Sequence, residues 1–200
     1  VVSLSGTSKG LLKNNKTGDI LAYVGGENSG KKVAIECKFD KSIKLGDVDS
    51  LDIASNKYDT AWSQLLETTV NRGANTSIIV FDKTLADASI QRAVDGVSYI
   101  DNIGFICIID YEASDYHNLA IAYNFARRLA LRKDGKNIEV DFVNMLIQRL
   151  LKDIRDIQNI EMLVKNNIKN NLLPVCLPLF SENRECNYCQ KIIHRYKDRT

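Results

Sequence analysis

The chain has almost no proline. Two prolines in 200 residues, against 44% apolar residues, leave little to interrupt regular structure and enough apolar surface for one sizeable core. We therefore expect one globular domain with an appendage. Long apolar runs are missing too. None reaches the roughly 18 residues that span a bilayer, and the amino end has no signal-peptide pattern, which predicts a soluble, cytoplasmic protein with no membrane partner. An excess of charge of either sign is absent: the formal net charge is +2, so no global basic field announces nucleic acid. Local basic clusters remain at 31–32, 38–44, 127–128 and 131–136. The cysteine count, five, is odd, and Cys37 and Cys107 lie inside apolar runs where a reduced thiol acts as a small hydrophobe. On that ground we expect no secreted disulfide framework. The chain opens on Val1 rather than methionine, with an apolar VVSLSG that reads as interior sequence. From this we expect a fragment whose upstream element lies before Val1.

What is present is an alternation of short apolar runs and helical patterns. Residues 19–24 and 33–39 read as consecutive strands joined by GGENSG, a connection rich in residues that tolerate positive φ. Between about 48 and 72, Leu51, Tyr58, Trp62, Leu65, Leu66 and Val70 recur at near-helical spacing, with Asp47, Asp49 or Ser50 as capping candidates and Gly73 as the stop. TSIIVFD, 76–82, has no polar alternation, as expected of a strand buried on both faces. A weaker helix over 84–97 and a strand over 103–112 follow. This order predicts an α/β core, a mixed sheet flanked by helices, over 1–112. The remainder, 113–200, reads as a helical extension: a helix over 115–132, then one continuous helix from 138 to about 172. In that last helix Val140, Val143, Ile147, Leu150, Ile154, Ile157, Glu161, Val164 and Ile168 alternate three and four residues apart, a heptad seam of about four repeats. We expect other protein surface to cover Val143, Ile147, Leu150, Ile154 and Ile157. That surface is the chain's own domain, a second copy, or a helical partner.

The stretch GDILAYVGGENSGKKVAIECKFD, 18–40, puts charge where strands are most constrained. If its two runs pair antiparallel, Asp19 at the start of one meets Glu36 and Lys38 near the end of the other. Period two puts Glu36 and Lys38 on one face and Ile35, Cys37 and Phe39 on the opposite one. Two close carboxylates repel, and a divalent cation that prefers oxygen relieves the repulsion. A lysine beside them suits a water or a phosphate oxygen.

This constellation resembles the PD-(D/E)xK nuclease superfamily, the restriction-endonuclease-like fold. The matching residues are Gly18-Asp19, Glu36-x-Lys38, Gln64 on the following helix and the strand TSIIVF, within 19–81 and under half of the chain. Here Asp19 follows glycine where the family's pattern has proline. The family's preceding helix, which often adds an acid, would lie before Val1. The resemblance implies metal-assisted phosphodiester hydrolysis, with DNA as substrate and RNA left open. It implies Mg²⁺ or Mn²⁺ on Asp19, Glu36 and the backbone carbonyl of Cys37, with Lys38 placing a water or stabilising developing charge. It also implies that Gln64 contacts the phosphate backbone or orients the site, the alternative being a helix residue facing solvent. Lys41, Lys44 and Arg72 are candidate phosphate contacts. The competing readings are a surface hairpin with an ordinary Glu–Lys pair, and a non-catalytic nuclease-like module that assembles through its C-terminal helix.

Three features stand apart. Cys186 and Cys189 have metal-knuckle spacing, and Cys176 and His194 could complete a tetrahedral Zn²⁺ site; two free cysteines are the alternative. His117, near Asp115, has no nucleophile placed beside it, so a core or capping role is expected. GGENSGKK lacks the phosphate-loop spacing and is read as a turn.

Overall fold

The computed structural model describes residues 1–26, 29–46, 60–132 and 139–172. Six strands form one sheet: β1 (Val2–Leu4), β2 (Ile20–Val24), β3 (Lys31–Lys38), β4 (Thr76–Asp82), β5 (Val97–Ile100) and β6 (Gly104–Ile109), in the order β1-β2-β3-β4-β6-β5. The β1–β2, β2–β3 and β5–β6 pairs are antiparallel, and β3–β4 and β4–β6 are parallel. This is the expected α/β protein: a mixed sheet packed against helices, with a long C-terminal helix.

The unbroken apolar runs have the predicted cause. β4 is buried at every position, with Ile78 and Val80 in one core and Ile79 and Phe81 in the other. The first core holds Val33, Ile35, Phe105 and Cys107 against helix α3 (His117–Leu131) and the start of helix α4 (Val140–Asn167). The second holds Ile106 against helix α1 (Ala61–Arg72) and the short helix α2 (Ala88–Ala93). Cys37, Val80 and Cys107 share one row of the sheet. Strands two apart sit roughly 9.6 Å from each other, beyond the ~7 Å reach of a disulfide, so both thiols are free. At the start of β6 a side chain has no room: a Cβ on Gly104 would lie 2.1 Å from the Ser77 carbonyl oxygen.

Several boundaries differ from the sequence expectation. The helix expected from about 48 begins at Ala61, because Thr60 and Ser63 form a capping box: Ser63 N–H donates to Thr60 Oγ1 (3.1 Å) and Thr60 N–H to Ser63 Oγ (3.0 Å). Asp47, Asp49, Ser50, Leu51 and Tyr58 lie outside the described residues. Its predicted stop holds, since Gly73 is left-handed (φ 54°). The helix expected over 84–97 shrinks to α2, and Val97 starts β5 instead. VVSLSG contributes the edge strand β1, with Val2 64% and Leu4 86% exposed. The heptad seam is covered only in part. Val143 and Ile147 are buried, but Leu150 and Ile157 are exposed and Leu151 is the third buried position. A helix lying on one globular surface needs cover only along its contact, and the stripe here repeats every four residues.

The chain divides into two compact units, Val1–Leu151 and Lys152–Thr200. In the second, α4 ends in a π-helical turn at Ile168–Leu172 and carries a Lys165–Glu161 ion pair at 2.8 Å. No helix among the described residues is long and apolar enough to cross a membrane.

Candidate active site

Asp19, Glu36 and Lys38 come together where β2 begins and β3 ends. The β2–β3 register runs to Ile20↔Ile35, and one further step sets Asp19 opposite Glu36. Asp19 N–H donates to the Ile35 carbonyl (2.9 Å), and Cys37 N–H donates to Asp19 Oδ2 (2.8 Å). Glu36, 4% exposed, is held on both oxygens: Gly18 N–H donates to Oε2 (2.5 Å) and Lys38 Nζ lies 2.8 Å from Oε1. The Glu36–Lys38 pair is thus on one face, as period two requires, and Cys37 packs against the core on the other. Phe39, expected beside Cys37, lies past the end of β3, is exposed, and meets the Tyr111 ring at 6.1 Å.

Asp19 is half-buried, and its side chain packs so close to residue 6 that only glycine fits there: a Cβ would lie 2.7 Å from Oδ1. Ser5 and Gly6 N–H groups both donate to the Asp19 carbonyl oxygen, at 2.7 and 3.2 Å. Sequence reasoning missed this contribution, although a glycine ahead of an acid-bearing strand signals close approach.

The field of the two carboxylates is felt by Cys37. Burial first, then the charges of Asp19 and Glu36, raise its thiol from 9.0 to about 11, with Lys38 opposing. The thiol ionises first in the unfolded chain, so the stability linked to it is complete below pH 9 and is lost as pH rises toward 11. At pH 8 the thiolate fraction is small enough that iodoacetamide should label Cys37 about a hundredfold more slowly than an ordinary cysteine. Peptide mass spectrometry of a timed reaction measures this; labelling at the ordinary rate would contradict the site's geometry.

Gln64 is 6% exposed, so it does not face solvent, and its buried Oε1 has no hydrogen-bond partner among the described residues. It shares a stripe of α1 with buried Thr68 and Asn71. Arg72 is not at a surface that a phosphate could reach. It is 6% exposed, and its guanidinium donates to the carbonyls of Ser5 (2.8 Å), Ser8 (3.2 Å) and Lys16 (2.6 Å) and to Ser8 Oγ (3.3 Å). The expected phosphate contact is therefore a clamp on the segment that leads into Asp19. Lys41 and Lys44 are exposed on the loop after β3, and Lys44 bridges to Thr60 through its backbone. His117 is an exposed helix-start residue, not a core one. Asp115 Oδ1 accepts from its backbone N–H at 3.1 Å and lies 2.6 Å from its Nδ1. Cys176, Cys186, Cys189 and His194 lie outside the described residues. Among the described residues no group of three or more His, Cys, Asp and Glu side chains could hold a metal ion, so any cation here would complete its shell with backbone oxygen, water or substrate. Set against protein-family models, curated proteins and solved structures, the chain matches none.

Proposed function

We propose that the chain hydrolyses phosphodiester bonds of nucleic acid, most simply DNA, with the help of a divalent cation. The observation that carries this reading is the meeting of Asp19, Glu36 and Lys38 at one end of β2 and β3. The donors fit Mg²⁺ or Mn²⁺, because the Asp19 and Glu36 carboxylates and the Cys37 carbonyl offer oxygen only. When bound, such an ion polarises a phosphoryl oxygen and acidifies a water. The chain does the rest. Cys37 N–H and Gly18 N–H fix the two carboxylates before substrate arrives. Lys38, held at Glu36, presents a positive charge where the phosphorane develops negative charge. Gln64 offers a buried amide oxygen that a bound water could satisfy.

Digestion of supercoiled plasmid and linear DNA with Mg²⁺, with Mn²⁺ and with EDTA tests the reading, which requires cation-dependent cutting. Lys38→Ala should lower the cleavage rate by about a hundredfold or more while calorimetric Mn²⁺ affinity changes little, because its charge serves the phosphate rather than the ion. A wild-type chain inert with both metals would remove the proposal.

A further inference from the structure

The segment that leads into Asp19 carries charge of one sign. Residues 1–18 contain Lys9, Lys13 and Lys16 and no acid. All three lysines are exposed, and among the described residues none is ion-paired; Lys9 Nζ donates to Asn14 Oδ1 at 3.0 Å. The segment is also tied down. Leu11 N–H donates to the Asn71 carbonyl (2.7 Å), Leu12 N–H to Asn71 Oδ1 (3.0 Å), and Asn71 Nδ2 to the Thr17 carbonyl (2.8 Å). Gly10 N–H closes the loop on the Asn15 carbonyl (2.9 Å), and Arg72 holds Ser8 and Lys16. Leu11 stays 76% exposed between the lysines.

We infer that the 7–17 loop is a grip for the phosphate backbone of a nucleic acid duplex, with Lys9, Lys13 and Lys16 on phosphates. Its charge complements that ligand, and its anchoring lowers the ordering entropy of binding. Leu11 suits a groove, where apolar side chains press on base steps. Exposed lysines and a leucine also suit an anionic membrane surface. The duplex is favoured because the loop is continuous with the chain at Asp19, where Ser5 and Gly6 bind the Asp19 carbonyl. The choice of ligand rests on the hydrolase reading; the grip itself does not need the metal.

The test is fluorescence anisotropy of a short fluorescein-labelled DNA duplex with the whole chain in EDTA, across a salt series. The Lys9→Gln/Lys13→Gln/Lys16→Gln variant should bind on the order of a hundredfold more weakly at low salt, and its salt slope should be shallower by about 2.7, roughly 0.9 per phosphate contact. Should that variant misfold by circular dichroism, Lys13→Gln alone should remove about 0.9. An Arg127→Gln/Arg128→Gln variant, which takes exposed charge from α3, should keep the wild-type slope. A wild-type slope in the lysine variants, absent wild-type binding, or lysine-dependent binding to phosphatidylserine vesicles without duplex binding would overturn the grip. A duplex held in EDTA but never cut with Mg²⁺ or with Mn²⁺ refutes the hydrolase reading and leaves the grip standing. Cutting by a wild type whose lysine variant keeps the full slope does the reverse.

Discussion

On the proposed function, Asp19→Asn and Glu36→Gln should each lower cation-dependent DNA cleavage by about a thousandfold or more, since either change takes one of two anionic oxygen ligands from the proposed metal. Their effects on the fold differ. In Asp19→Asn the amide oxygen can still accept from Cys37 N–H, and the repulsion from Glu36 is relieved, so stability in EDTA stays equal or rises. In Glu36→Gln the Gly18 bond can survive, but the buried end of the Glu36–Lys38 ion pair loses its charge, at a cost of about 1–3 kcal/mol. Chemical denaturation of the metal-free proteins separates the two. Both variants also remove a charge that holds the Cys37 thiol up, so alkylation quickens in each while the fold persists. Undiminished cleavage by Asp19→Asn would end the assignment of this pair to catalysis.

Arg72→Ala costs about 4 kcal/mol, the largest stability loss expected of any side-chain truncation near the site. It strips donors from three backbone carbonyls, Ser5, Ser8 and Lys16, on the two sides of the loop that leads into Asp19. Each orphaned acceptor in a partly closed interior is worth about 1–3 kcal/mol, and water entering the gap recovers part of that. Arg72→Lys restores less than half, because one ammonium cannot span acceptors that a planar guanidinium reaches from two nitrogens. Urea unfolding gives the number. A loss under about 1 kcal/mol would mean that the loop holds its place without the guanidinium.

The strands that the sequence revealed are those with many buried residues. β3, β4 and β6 lie inside the sheet, so both faces are apolar and the runs are continuous. β1 and β5 have three and four residues and sit at the edges, too short for a period to show. The meeting of Asp19 with Glu36 and Lys38 was legible for a local reason: one hairpin and a period of two fix it. Arg72 was not. Its acceptors lie 56 to 67 residues away, and an arginine in the last turn of an amphipathic helix looks like surface charge until the fold brings the first strand and its loop across it. Gln64 was legible as a candidate but not as a buried one, because α1 begins only three residues earlier, after a cap that the periodicity of 48–72 concealed.

Gly18 precedes Asp19, and its surroundings leave no room for exchange. Its φ is 97°, its N–H reaches Glu36 Oε2, and a Cβ would fall 2.6 Å from the Arg72 side chain. Proline could neither adopt that φ nor donate that bond, and any other residue would both strain the backbone and displace the guanidinium. Positions 18, 36 and 72, far apart in the chain, therefore form one corner in which each residue leaves the other two no freedom.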